Sequence, residues 1–250
     1  MAPLSQDRYL AQLHASTATL AGMAGGDLSV PVPTCPEWTL RELLIHVGRA
    51  QRWSALITAT RSAEFIPFRS VPDGKFPGEG RPQWVRAGAS ALASAVREAG
   101  EDEVWALGRM EPASFWARRS CHETLVHEAD AVLAAGGAPA IEADVAADAI
   151  DEWLTELCPR FWSSGGGAGA LPPGQVLHVH ATDTPGEWLA GNDGDGVQVT
   201  RGHGKGDAAV TGPAADLLLM LLRRTPADAP ALTVHGDPAV LTRWLGATAF

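Results

Sequence analysis

The sequence predicts an α+β protein that is mainly α, with a helical bundle followed by a small α+β domain. Apolar residues recur at helical intervals through roughly the first 160 residues. A segment rich in Gly and Pro follows, and after it the apolar residues alternate as in β-strands. We therefore predict a bundle over 1–162, a linker over 163–175 and a small α+β domain over 176–250.

The first two helices are marked by periodicity and by a capping motif. Apolar residues at helical spacing over 4–23 predict the first helix. Thr39 is expected to precede the second, because Glu42 lies three residues later and the pair forms a capping box.

Two more helices complete the predicted antiparallel four-helix bundle. Pro82 suits the first turn of the third helix, and Gly100 suits the residue that follows its last turn. The fourth helix is predicted over 114–136. The loop over 61–81 is long and rich in Pro and Gly, and loops of this kind often cover a site.

The rest of the chain mixes helices and strands. A helix over 144–162 either leans on the bundle or bridges to the next domain. Residues 176–182 alternate as a strand, and 191–196 form a turn between two further strands. The remaining predicted elements are strands over 207–211 and 232–235, a buried helix over 213–224 and a last helix beginning at Asp237-Pro238.

Composition excludes several classes of protein. The net charge of −10 argues against binding to nucleic acid. No uninterrupted apolar stretch of about 18 residues occurs, so no membrane span is expected. The first residues do not resemble a signal peptide, and three cysteines are too few for a disulfide framework. A cytoplasmic protein, either a monomer or a homodimer, is therefore expected.

One set of residues predicts a metal site. Glu123 and His127 lie four residues apart, about 40° apart on one face of the fourth helix. His46 falls on an apolar line of the second helix and should point inward. Two imidazoles and one carboxylate suit Zn²⁺ with one coordination position open, which is typical of catalytic zinc. The alternative is an exposed Glu123–His127 pair, with His46 a hydrogen-bonded core residue.

Several neighbouring residues have an open or minor role. His122 is five residues from His127, about 140° around the helix, so we exclude it as a ligand. Asp130 shares the stripe of Glu123 and His127 and could orient a ligand histidine, or it could be a solvated helix residue. Cys35 has no dedicated histidine partner in the sequence, so a turn or packing role is expected.

Two further groups have both a functional and a structural interpretation. His178 and His180 share a strand face, which could indicate a second metal, although a hydrogen-bonding pair is the safer interpretation. Trp38, Trp53 and Trp116 could line a substrate pocket, but as core residues they need no function.

Longer motifs add a family resemblance. Val-Pro-Thr-Cys-Pro-Glu-Trp-Thr-Leu-Arg-Glu-Leu-Leu-Ile-His over 32–46 resembles the start of the second bundle helix in the mycothiol-dependent maleylpyruvate isomerase family. Residues 118–131 resemble the family's ligand helix, and 212–224 and 234–244 resemble its smaller C-terminal domain. The resemblance implies a DinB-like metal-binding bundle and covers nearly the whole chain in the expected order.

The resemblance also implies roles for individual residues. His46, Glu123 and His127 correspond to the metal ligands, with zinc as the usual occupant. The C-terminal domain of the family contributes an arginine to the active site, in a motif that usually reads aromatic-Gly-Arg. Leu222-Arg223-Arg224 stands in that place, so Arg224 is the matching catalytic residue. The alternative for Arg224 is a cation that favours a helix C-terminus.

The implied activity is that of a metal-dependent enzyme using mycothiol as thiol cosubstrate. A zinc-activated thiolate would attack a small electrophile, either for cis–trans isomerisation of a maleylpyruvate-like substrate or for S-transfer. The expected partners are thus a small electrophile and a low-molecular-weight thiol. The alternatives are a zinc hydrolase that uses metal-bound water and a non-catalytic metal-binding or regulatory module.

Overall fold

The computed structural model describes residues 3–162, 169–194 and 196–248, and it confirms the predicted fold class. Residues 163–168 of the predicted linker lie outside the described residues. The chain forms two compact units, one over Ser5–Pro139 and one from Ala140 onward. No described helix is both long and apolar enough to cross a membrane.

The first unit is the helical bundle. Its elements are α1 (Gln6–Met23), α2 (Leu40–Ala59), a 3₁₀ turn (Phe68–Ser70), α3 (Arg81–Ala99), the strands β1 (Glu103–Ala106) and β2 (Arg109–Pro112), and α4 (Ser114–Ala134). Helices α1 and α2 each contact both α3 and α4, so the four share one core.

The capping box at the start of α2 forms as predicted. The Thr39 hydroxyl accepts a hydrogen bond from the backbone N–H of Arg41 at 3.2 Å, and the Glu42 carboxylate accepts one from the Thr39 N–H at 3.0 Å. These contacts satisfy backbone donors that a helix N-terminus leaves without intrahelical partners. They fix where α2 begins and therefore which of its side chains face the core.

The antiparallel hairpin of β1 and β2 is not predicted by the sequence patterns. Its two turn residues, Leu107 and Gly108, both have positive φ, at 50° and 95°. That conformation is usual for Asn-Gly or Asp-Gly, and leucine adopts it rarely. The turn therefore lacks the residues by which a hairpin is normally detected in a sequence.

Close packing between α2 and α3 depends on Gly48. A Cβ atom on Gly48 would lie 2.2 Å from the Trp84 ring, so only glycine allows this approach. The guanidinium of Arg52 covers the ring at 4.2 Å and donates hydrogen bonds to the carbonyl oxygens of Gly48 and Trp84. Burial of Arg52 lowers the pKa of its guanidinium. The indole is thus held between a backbone and a buried cation.

The second unit contains a sheet with helices. Its elements are α5 (Ala143–Glu152), a π-helical turn (Trp153–Leu157), α6 (Cys158–Trp162), β3 (Val176–Ala181), β4 (Glu187–Asn192), β5 (Val197–Arg201), β6 (Ala208–Gly212), α7 (Ala214–Leu221), β7 (Thr233–Gly236) and α8 (Pro238–Ala247). The strand order is β5-β4-β3-β6-β7, and only β3 and β6 pair in parallel.

The helix predicted over 144–162 differs from the structure in continuity and in placement. Pro159 lacks an N–H and its ring excludes a normal turn over Thr155, so the helix widens and the Cys158 N–H bonds to the Trp153 carbonyl. The segment belongs to the second unit and packs on α7. Its Asp151 also forms an ion pair with Arg201 of β5 at 2.8 Å. The units therefore divide near 140, before this helix, whereas the sequence places the boundary at 162.

We expect Gly48→Ala to lower the free energy of unfolding by about 1–3 kcal/mol, because the new methyl group overlaps Trp84. Gly22→Ala is the matched control, since a Cβ there meets nothing within 4 Å. We expect it to be neutral or stabilising by up to about 1 kcal/mol. Urea denaturation of both variants measures the difference, and equal stability would contradict the described packing of α2 on α3.

Candidate metal centre

The bundle brings the three predicted ligands together. His46 Nε2 lies 3.0 Å from Glu123 Oε1, and the rings of His46 and His127 are 4.8 Å apart. One ligand atom from each residue lies within 4.8 Å of the other two. The side chains of Glu123 and His127 are 29% and 13% exposed, so they do not form the solvent-exposed pair of the alternative interpretation.

The arrangement fits a divalent metal. Ligand atoms around tetrahedral zinc lie about 2.0–2.2 Å from the ion, and therefore roughly 3.4 Å from one another. The His46–Glu123 distance of 3.0 Å is close to that spacing. The His46 side chain is 37% exposed, so the group is open to solvent on one side. Metal ligation by His46, Glu123 and His127 stays a prediction that this geometry supports.

Asp130 forms a hydrogen bond with the ring of His127. Its carboxylate is fully buried, and Oδ2 lies 3.0 Å from His127 Nδ1. An ionised carboxylate only accepts hydrogen bonds, so Nδ1 carries the proton and Nε2 is left for the site. The Thr34 hydroxyl donates to the second oxygen of Asp130 at 2.6 Å. Asp130 is thus placed as an orienting residue and is not solvated.

Trp38 forms a wall beside both histidines. Its ring lies 4.9 Å from that of His46 and 5.8 Å from that of His127. The other two tryptophans considered from the sequence lie elsewhere: Trp53 packs against Trp116 at 5.3 Å within an aromatic cluster. Of the three, only Trp38 borders the candidate ligands.

Arg119 was not identified from the sequence, although it lies four residues before Glu123 on the same helical face. Its Nε is 3.8 Å from Glu123 Oε2, whereas Oε1 faces His46. Burial raises the pKa of Glu123, but the hydrogen bond from His46 and the charge of Arg119 lower it by more, to about 2. Glu123 is therefore an anion at neutral pH and available as a metal ligand.

His122 and Cys35 are near the candidate ligands in sequence or in space, but each has different neighbours. His122 is buried, and its ring packs edge-on against Tyr9 of α1 at 5.8 Å, away from the candidate ligands. Cys35 lies closer to the site than its sequence context indicated, with Sγ 3.9 Å from Asp130 Oδ2. An anionic neighbour is the opposite of the cationic surroundings that activate a cysteine nucleophile, so the expected packing role is retained.

A basic pocket of about 660 Å³ lies along α2 on the turns next to His46. Residues 68–76 of the predicted long loop form its other side. Four cationic side chains line the pocket: Arg41, Arg49, Arg69 and Lys75. Asp73 is the acidic residue that shares it. This cluster is not evident in the sequence, because its cations come from two segments about 20 residues apart.

Arg224 lies in the second unit, immediately after α7. The N–H of Arg224 bonds to the Leu219 carbonyl and the N–H of Arg223 to the Met220 carbonyl, which is the Schellman pattern that ends many helices. Arg223 has a φ of 63°, a left-handed conformation that favours glycine. The family resemblance expects glycine at this position, and the match of Arg224 to the family arginine stays a prediction.

Comparison with known proteins agrees with these observations. The model of the mycothiol maleylpyruvate isomerase N-terminal domain matches residues 9–132, and the model of the C-terminal domain matches 144–243. The chain belongs to the mycothiol-dependent maleylpyruvate isomerase family. The family resemblance is thereby confirmed, and the assignment is to a family of enzymes.

Solved structures share the fold over nearly the whole chain. A crystal structure of the mycothiol-dependent maleylpyruvate isomerase is 18% identical, with a TM-score of 0.62. A histidine-to-alanine mutant of that enzyme is 16% identical at the same TM-score. Each comparison covers 94% of this chain and 95% of the other. Among curated proteins no significant match is found.

We expect Arg223→Gly to be more stable than Arg223→Ala by about 1 kcal/mol, because only glycine adopts this φ without steric cost. Both variants lose the hydrogen bond from Arg223 Nη1 to the Leu245 carbonyl. The difference between their free energies of unfolding therefore measures the steric cost of the left-handed backbone. Urea denaturation provides the comparison. An alanine variant as stable as the glycine variant would argue against a left-handed residue at this position.

Proposed function

We propose that this chain is a mycothiol-dependent enzyme that isomerises a small electrophilic alkene, with a divalent metal, zinc by preference, held by His46, Glu123 and His127. The observation that carries the proposal is the convergence of these three side chains at the open side of the bundle, in a chain matched to both domains of the isomerase family. S-transfer to a related electrophile would use the same groups.

The metal would activate the thiol for attack on the substrate. When bound, zinc would supply the positive charge that turns a thiol into a thiolate, whose addition to and departure from an activated alkene allows rotation about the intervening bond. Glu123 and the neutral imidazoles of His46 and His127 match zinc's preference for nitrogen and oxygen ligands. Their partial exposure leaves room for one exogenous ligand.

Other side chains prepare this site. Asp130 keeps the proton of His127 on Nδ1, so that the Nε2 lone pair would be available to hold a metal. The hydrogen bond with His46 and the charge of Arg119, 3.8 Å from the second oxygen of Glu123, lower the pKa of Glu123 and keep it ionised. Trp38 shields one side of both histidines from water, which strengthens electrostatic interactions within the site.

Positive side chains favour a substrate that carries a carboxylate. By the family resemblance, Arg224 would hold such a group, ideally through a bidentate contact. Within the bundle, Arg49 belongs to the basic pocket and follows His46 by three residues, so both lie on neighbouring parts of the α2 surface. A maleylpyruvate-like dicarboxylate has the charge that the arginines of the basic pocket would select.

The test is an assay of cis–trans isomerisation and of conjugation, each with and without mycothiol, on a panel of small dicarboxylate alkenes. We expect turnover only when the thiol is present. Turnover by hydrolysis without any thiol would overturn the proposal and favour a metal-bound water as nucleophile. Inactivity across the panel in the metal-loaded, thiol-supplemented protein would equally count against it.

Loss of a metal ligand should abolish activity. We expect His46→Ala to reduce kcat/KM at least about 100-fold, since a catalytic metal contributes several kcal/mol to transition-state stabilisation. His14→Ala is the control, because His14 is an exposed histidine of α1 outside the candidate site. Activity retained in His46→Ala would exclude a reaction that depends on this metal site.

Asp130→Asn should weaken metal binding about 10–100-fold, because an amide no longer fixes the tautomer of His127. Glu128→Gln makes the same carboxylate-to-amide change next to His127 and should leave metal affinity unchanged. Titration of Zn²⁺ into each apoprotein by calorimetry measures both. Equal affinities in the two variants would assign Asp130 a purely structural role.

A further inference from the structure

A second histidine cluster lies in the C-terminal unit. Glu187 is within hydrogen-bonding distance of two histidines: its Oε2 is 3.1 Å from His178 Nε2 and 2.9 Å from His203 Nδ1. Its other oxygen, Oε1, is 3.6 Å from His180 Nε2. The chain has eight histidines, and three of them meet at this one carboxylate. Neither the metal site of the bundle nor the proposed reaction uses them.

Sheet geometry explains how three of these residues meet. His178 and His180 are two apart on β3 and therefore point to the same face. Glu187 pairs directly with His180 across the antiparallel β3–β4 ladder, so it shares that face. Sequence analysis detected the two strand histidines but could not supply Glu187, whose position depends on the register.

The fourth residue comes from a chain crossing. Strand β5 is at the edge of the sheet, so the chain must pass β4 and β3 to enter β6. The crossing is rich in glycine, and a Cβ on Gly204 would lie 2.5 Å from Leu189 Cδ1 of β4, while one on Gly206 would lie 3.0 Å from the His178 nitrogen. This close passage places His203 over Glu187 and His178, with a ring distance of 5.6 Å to His178.

We propose that His178, His180, Glu187 and His203 form a second metal site, which binds a divalent transition metal and preferentially zinc. Three imidazoles and one carboxylate are a ligand set that zinc accepts in tetrahedral geometry. A ring nitrogen of each histidine lies 2.9–3.6 Å from a Glu187 oxygen. One ligand atom each of His178, His180 and Glu187 lies within 4.8 Å of the other two, and His203 joins them through its contact with Glu187 Oε2. The inference does not depend on the proposed function.

The site would be structural. The protein supplies all four ligands, which leaves no position for a substrate, whereas catalytic zinc keeps one open. His178 is buried, but the His203 side chain is 80% exposed, so the ion can enter from the side of the crossing. Bound metal would fasten the crossing to β3 and β4, and it would stabilise the folded unit in proportion to its affinity.

The experiment titrates Zn²⁺ and Co²⁺ into full-length apoprotein whose bundle site is disabled by His46→Ala and His127→Ala. We expect one equivalent of metal to bind, a rise in the melting temperature, and the visible spectrum of four-coordinate Co²⁺. Glu187→Gln and His203→Ala should each weaken binding at least about tenfold, the lower limit seen when even an indirect partner of a ligand is lost.

The matched control is His235→Ala, which removes an exposed histidine of β7 in the same sheet but outside the cluster. It should bind metal as tightly as its parent. A second measurement uses protein with an intact bundle site. This protein should bind one equivalent of metal more than its Glu187→Gln variant, and the result does not depend on the His46→Ala and His127→Ala changes. Absence of metal binding in the disabled background, or affinity unchanged by Glu187→Gln and His203→Ala, would overturn the proposal.

Discussion

The bundle site depends on one buried carboxylate, that of Asp130. A fully buried charge is tolerated only with hydrogen-bond partners, and Asp130 obtains them from His127 and from Thr34. Thr34 lies in the segment that leads into α2, where the Thr39 cap sets the start of the helix. The same interaction thus orients one histidine and anchors the segment that contains Trp38 and leads into α2, where His46 lies about two turns from the start. Removing this carboxylate would disturb both halves of the site.

The two histidines of the bundle site are held differently. His127 is enclosed, with its proton fixed by Asp130, whereas His46 is more exposed and its Nε2 meets only the Glu123 carboxylate among the hydrogen bonds described. A metal bound at His46 Nε2 would take the place of the hydrogen bond to Glu123, and the neutral ring would carry its proton on Nδ1. The Arg119 guanidinium lies 3.8 Å from the other Glu123 oxygen, where its charge favours the ionised carboxylate.

Local patterns predicted most of the fold and most of the bundle site. Helical period, the Thr39 cap and the four-residue spacing of Glu123 and His127 each act within a few residues, and the structure contains all three. Partners that meet through tertiary packing were missed. Arg119 had a local signal that was overlooked, but the grouping of Glu187 with His203 depends on strand register and a chain crossing, which one sequence does not reveal. Pro159 did mark the break in its helix, although its effect was not anticipated.

The parallel pairing of β3 with β6 has a consequence for folding. It joins residues far apart in sequence, such as Leu177 and Ala208, and it can form only after the chain has crossed over β4. Contacts of this kind raise the contact order, and loop closure must precede the favourable contacts. The glycines of the crossing add to the cost of this closure, because each has more conformational freedom to lose.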